Sequence, residues 1–164
     1  MALEHRISEL DTYLFAKGRH YEIYEKMGAH LAEEDGKAGT YFSVWAPNAR
    51  SVSVVGDFNN WDRTAHPMQP VQQSGIWDIF VPGVKAGDLY KFAVETSQGY
   101  TVLKADPYGN QSQLRPDNAS VVADIRYFDW TDQAWRKAHQ EKKTESPMAI
   151  YEVHPGSWKK DPSK

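Results

Sequence analysis

The run Phe42-Ser43-Val44-Trp45-Ala46-Pro47-Asn48-Ala49-Arg50-Ser51-Val52-Ser53-Val54-Val55-Gly56-Asp57-Phe58-Asn59-Asn60-Trp61-Asp62 decides the fold. Residues 40–45 and 51–55 are short stretches rich in β-branched and aromatic side chains, and residues 47–50 between them carry the Pro-Asn signal of a turn. Further along, residues 76–81 and 89–95 read as strands, with 82–88 as the turn between them. Tyr90, Phe92 and Val94 alternate with Lys91, Ala93 and Glu95, so one face of that strand can be buried while the other stays wet. Gln98-Gly99 marks another turn, 100–105 a further strand and 121–125 the last. Several short strands with frequent turn signals predict a mainly β domain, an immunoglobulin-like antiparallel β-sandwich. They leave no room for βαβ crossovers.

The flanks read differently. Leu3, Ile7, Leu10 and Leu14 recur at helical spacing, with Ser8, Glu9, Asp11 and Lys17 mostly on the other face, which predicts an amphipathic helix ending near Gly18. Tyr21, Tyr24, Met27 and Leu31 continue a mixed apolar pattern, so this region reads as an appendage packed on a neighbour. Past the sandwich, Asp129 and Asp132 suit the cap and first turn of a second short helix. A polar stretch to Ser146 ends at Pro147, and residues 148–154 then form a new strand-like run. A buried strand needs neighbours, so the natural chain is expected to continue beyond Lys164. The predicted division is 1–35 appendage, 36–126 sandwich, 127–147 short helix and linker, and 148–164 the truncated start of another domain.

Composition excludes several function classes. The 164 residues include 19 Lys+Arg against 22 Asp+Glu with no basic stripe, which argues against a nucleic-acid partner. There is no Cys, hence no disulfide framework, thiol nucleophile or thiolate-bound metal. The six His show no metal-ligand spacing, and neither a metal nor a cofactor is expected. Nothing in the sequence reaches membrane-spanning length. MALEHRISELD lacks the apolar stretch of a secretory leader, so a cytoplasmic protein is the expectation.

Candidate chemistry is sparse. Asp57 and Asp62 flank the Phe58–Trp61 turn and suit an acid/base pair, but Asp, Asn and Gly are also what tight turns use for local backbone bonds. Asp106-Pro107-Tyr108-Gly109-Asn110 has the same turn reading. Trp61 is the best binding candidate: it follows a strand, in a polar turn where a buried aromatic is less expected. An indole there can stack on the apolar face of a sugar ring, with Asn60 and Lys91 donating to hydroxyls; equally, it can fold back over the open edge of the sandwich. Glu152 and His154 share a face of the terminal run and can line a cleft only if further chain builds the rest. No catalytic residue is assigned.

The stretch from Phe42 to Asp62, with Leu89-Tyr90-Lys91-Phe92 and Lys104-Ala105-Asp106-Pro107-Tyr108, resembles the glucan-associated, carbohydrate-binding β-sandwich that precedes the catalytic barrel in glycogen and starch enzymes of the alpha-amylase superfamily. Ile150-Tyr151-Glu152-Val153-His154-Pro155-Gly156-Ser157-Trp158 resembles the first strand and exit loop of the (β/α)8 barrel of 1,4-alpha-glucan branching enzymes. Tyr13-Leu14-Phe15 and Gly28-Ala29-His30 look like their leading segment. The resemblance implies an alpha-1,4-glucan or glycogen partner, glucan contacts at Trp61, Asn60 and Lys91, and a barrel cleft lined by Glu152, His154 and Trp158. It implies a full-length enzyme that moves an alpha-1,4-glucan segment to a 6-hydroxyl, with its catalytic carboxylates on later barrel strands, so residues 1–164 alone are expected to be inactive. The module also occurs in debranching enzymes, trehalose-releasing relatives and glycogen-targeting subunits, which are the alternative readings. The family usually has Leu where this chain has Pro155, and proline there ends or bends the strand.

Overall fold

Ser8 opens the first element. Its side chain accepts the Asp11 N–H, while the Asp11 carboxylate accepts the Ser8 N–H at 2.7 Å; this reciprocal cap starts helix α1 (Glu9–Ala16). The computed structural model describes residues 6–126, 130–140 and 149–158, which belong to two compact units, Met1–Tyr127 and Phe128–Lys164.

Among the described residues of the first unit a 3₁₀ turn (Ile23–Glu25) leads into nine strands: β1 (Gly28–Glu34), β2 (Lys37–Trp45), β3 (Ala49–Gly56), β4 (Gln69–Pro70), β5 (Ile76–Pro82), β6 (Leu89–Thr96), β7 (Thr101–Lys104), β8 (Gln111–Ser112) and β9 (Ser120–Val121). One sheet has the order β1-β2-β5-β4; the other runs β3-β6-β9-β8, with β7 also paired to β6. All pairings are antiparallel.

Between the sheets lie Ala29, Phe42, Val44 and Val81 from one side and Val52, Val54, Tyr90, Phe92 and Val122 from the other. Phe42 and Tyr90 meet edge to face, with centroids 5.0 Å apart. Each of the Val and Phe side chains between the sheets contributes about 1.5–3 kcal/mol by leaving water. The alternation read along 89–95 holds on the inner face, where Tyr90 and Phe92 are buried and Val94 packs against them; on the other face Lys91 and Glu95 are partly exposed but Ala93 is buried too, at 4% exposed. β2 is buried on both faces because the N-terminal segment covers its outer side. Ile7, Ile23 and Met27 form a second core there with Val71 and Ile76, and Ser43 Oγ donates to the Lys26 carbonyl at 2.6 Å.

Three details of this unit depart from the sequence reading. Gly28–Glu34 lies within the predicted appendage yet pairs along its whole length with β2, the only neighbour it needs to be a strand. In α1 the buried residue is Asp11, 6% exposed, while Leu10 is 64% exposed. The carboxylate can be buried because Lys26 Nζ (2.5 Å), His20 Nε2 (2.7 Å) and the Ser8 cap surround it. Leu3, also counted in that stripe, lies outside the described residues. Of 121–125 only Val121 is in a strand; Val122 turns into the core, its N–H bonded to the Asp88 carbonyl.

In the second unit α2 (Gln133–Gln140) forms, with Trp135 and His139 stacked 3.8 Å apart; its expected cap Asp129 lies outside the described residues. Residues 149–154 are not a strand, because no described strand pairs with them, and Pro155–Trp158 (α3) is one helical turn. Proline suits the first position of a helix, where its missing N–H costs nothing.

Candidate functional site

The tryptophan turn is built on Gly56. A Cβ there would lie 2.1 Å from the Leu89 carbonyl oxygen and 2.6 Å from the Phe58 ring, so only glycine lets the chain pass this close to β6. A 3₁₀ turn (Asp57–Asn59) follows, and Phe58 drops inward against Phe42 and His66. Asn59 ties the turn to itself: Oδ1 accepts the Gly56 N–H (2.9 Å), and Nδ2 donates to the Val54 carbonyl (3.0 Å) and to His66 Nδ1 (2.9 Å).

Asn60 and Trp61 then both adopt left-handed backbone, φ 53° and 60°. Asparagine tolerates this region; for a bulky side chain such as tryptophan it costs about 1–2 kcal/mol. The strained residue is held by its own N–H, which donates to the Gly56 carbonyl at 2.9 Å, and by its indole Nε1–H, which donates to Asp57 Oδ1 at 3.1 Å. The ring is neither buried nor fully free, and it does not enter the core.

Gly56 pairs with Tyr90, so the turn is anchored one residue from Lys91. Lys91 alternates away from the core, and its ammonium donates to Asn118 Oδ1 at 2.5 Å. Asn118 is exposed, in the loop before β9. Sequence reasoning missed it; 26 residues of chain separate it from Lys91, and only the β6–β9 pairing brings the two together. An aromatic plate with ammonium and amide groups at the same end of one sheet suits a neutral polyol with an apolar ring face.

The aspartates do other work. Asp62 Oδ1 accepts both the N–H and the hydroxyl of Thr64 at 2.8 Å, which hold its carboxyl below the usual range. Together with the Asp57–indole bond, this gives both carboxylates local turn roles. Asp106 is not a surface turn residue: it is 9% exposed, and burial pushes its carboxyl upward against the bonds from Tyr90 and Tyr108. Burial also raises the Tyr90 phenol, with the nearby Asp106 adding to it. Among the described residues no group of three or more His, Asp or Glu is placed to hold a metal ion. No described helix is long and apolar enough to cross a membrane.

Glu152, His154 and Trp158 lie in the second unit and are all exposed. His154 Nδ1 is 2.9 Å from Ser157 Oγ, and the rings of Tyr151 and Trp158 meet edge to face at 5.8 Å.

Residues 26–109, which take in β1 through β7 and the whole tryptophan turn, match carbohydrate-binding module 48, the isoamylase N-terminal domain. The chain belongs to this family. The matched part of the module includes Asn60, Trp61, Lys91 and Asp106; Asn118 lies beyond it. The chain is 53% identical over 156 residues to the 1,4-alpha-glucan branching enzyme GlgB of Protochlamydia amoebophila, covering 94% of this chain and 22% of that protein. It is 52% identical over 157 residues to the enzyme of the same name from Butyrivibrio fibrisolvens, covering 95% and 25%. The chain therefore spans about a fifth to a quarter of these relatives' length. Among solved structures, a putative alpha amylase from Salmonella typhimurium is similar with a TM-score of 0.51 and 25% identity, over 66% of this chain and 16% of that one.

Proposed function

We propose that the module binds alpha-1,4-glucan through Trp61, Asn60 and Lys91, with Asn118 as a fourth contact, and that the chain is the N-terminal part of a cytoplasmic 1,4-alpha-glucan branching enzyme. The observation that carries the sugar reading is Trp61: a large aromatic held in left-handed backbone, outside the core, with its indole N–H tethered at the turn. Strain of this kind is kept where the surroundings over-determine it, and it points to a role for the side chain. The branching reading is supported by the identity to two enzymes of that name along nearly the whole chain. In it, residues 148–164 start the catalytic barrel, Glu152, His154 and Trp158 face its cleft, and the barrel is the module's partner within one polypeptide.

Glycogen co-sedimentation tests the first part: K91M and N118A each lower the bound fraction, and unchanged binding in both would rule these contacts out. An iodine-stain assay on purified residues 1–164 tests the second. No branching is expected, because retaining transfer needs two carboxyl groups about 5–5.5 Å apart across the scissile bond, and in this reading they belong to later strands of the barrel. Measurable turnover would overturn that division of labour.

A further inference from the structure

One edge of β6 changes partner midway. β7 pairs with it from Phe92 to Glu95, β9 pairs only with Leu89 and Tyr90, and the change falls at Lys91. The two registered pairs, continued only by the Val122 bonds to Gly87 and Asp88, are a short contact, and a slip of one residue would turn every β9 side chain to the opposite face. Asp106 stands at this changeover, two residues past the end of β7. Its Oδ2 accepts the Tyr90 hydroxyl at 2.5 Å, its N–H donates to Ser120 Oγ at 2.9 Å, and its Oδ1 accepts the Tyr108 N–H at 2.8 Å. Tyr90 and Ser120 are themselves a registered pair, both buried. Asp106 therefore grips both members of the pair that adjoins Lys91 on β6 and lies two residues past Asn118 on the other strand. The fit is tight: a Cβ on Gly28 would come within 3.2 Å of Asp106 Oδ2.

We propose that Asp106 is a positioning residue for the sugar-binding face: by clamping Tyr90 to Ser120 it fixes the β6–β9 register that brings Asn118 to Lys91. It has no contact with the sugar. The inference rests on the glucan reading for its consequence, but the register itself is testable without any sugar.

The readout is the side-chain amide resonance of Asn118 in the full 164-residue chain, with K91M supplying the reference for a broken contact. D106A is expected to move the Asn118 amide to the K91M position. D106N keeps one carbonyl acceptor and is expected to move it less than half as far; S120A, which removes the acceptor of the Asp106 N–H, falls between. Maltoheptaose affinity is expected to drop at least 10-fold in D106A and 3-fold or less in D106N. An unmoved Asn118 amide in folded D106A overturns the inference; if D106A does not fold, unmoved resonances in both D106N and S120A do so. A wild-type chain that ignores maltoheptaose while D106A still shifts Asn118 would sink the glucan reading and leave the positioning role standing.

Discussion

The indole Nε1–H of Trp61 donates to Asp57 Oδ1 at 3.1 Å, four residues back in the same turn. The bond fixes the ring of a residue whose backbone is already strained. Relieving the strain and losing the ring can be separated by substitution. W61G, which accepts φ 60° freely, is expected to be more stable than W61A by about 1 kcal/mol, while both lose sugar binding alike. Urea denaturation of the pair checks this, and equal stability would mean that the left-handed backbone carries no cost.

Gly56 is the other fixed point of the turn. Because its Cβ would meet the Leu89 carbonyl at 2.1 Å, G56A forces β3 and β6 apart and is expected to cost about 3 kcal/mol by overpacking. Thermal unfolding measures the loss; a cost below 1 kcal/mol would show that the strands can part easily.

A core side chain and an exposed helix side chain predict contrasting truncations. Phe42 is fully buried, so F42A is expected to cost about 3–5 kcal/mol. Leu10, 64% exposed, is expected to tolerate Ser within about 0.5 kcal/mol. A large cost at Leu10 would restore the helix stripe as a buried face.

Two buried carboxylates give opposite pH signatures. Burial alone would raise the Asp11 carboxyl, but bonds from Lys26, Ser8 and His20 outweigh it and hold the group well below the usual carboxylate range. The unfolded chain then binds more protons than the native one at acid pH. Stability from Asp11 is full above the unfolded value of about 3.9 and is lost as pH falls toward the folded one. D11N is expected to cost about 2 kcal/mol at neutral pH and to narrow its gap to the wild type below pH 4.

Asp106 works the other way, since burial raises its carboxyl. Here the native state binds more protons just above the ordinary carboxylate range, so stability falls as pH rises through that window. The wild-type minus D106N difference is expected to decline with rising pH, while wild-type minus D11N grows. Slopes of the same sign in urea titrations from pH 3 to 7 would contradict the assignment of at least one of them.

How much of this was legible follows from the range of the interactions. The alternation of Tyr90, Phe92 and Val94 gave β6 its face, because sheet periodicity is local. The Asn60-Trp61 turn was legible as a turn for the same reason. β1 was not: Gly28-Ala29-His30-Leu31 is a weak strand former, made regular by pairing with β2 along its whole length and by Ala29 entering the core between the sheets. Besides their near neighbours Ser8 and Tyr108, Asp11 and Asp106 are held by partners 9 to 16 residues away, and Asn118 reaches the site only through the β6–β9 register. Beyond the Ser8–Asp11 cap, such placements are properties of the folded chain and leave no spacing signal in the sequence.

The central claim is that this module holds glucan at the Trp61 end of its β3–β6 pair. The most direct measurement is a titration of the 164-residue chain with maltoheptaose, followed by the resonances of the Trp61 indole N–H and the Asn118 side-chain amide. Saturable shifts at both, absent from W61A with its fold intact, are the predicted result. A wild-type chain whose Trp61 and Asn118 signals stay fixed at millimolar sugar would contradict the account.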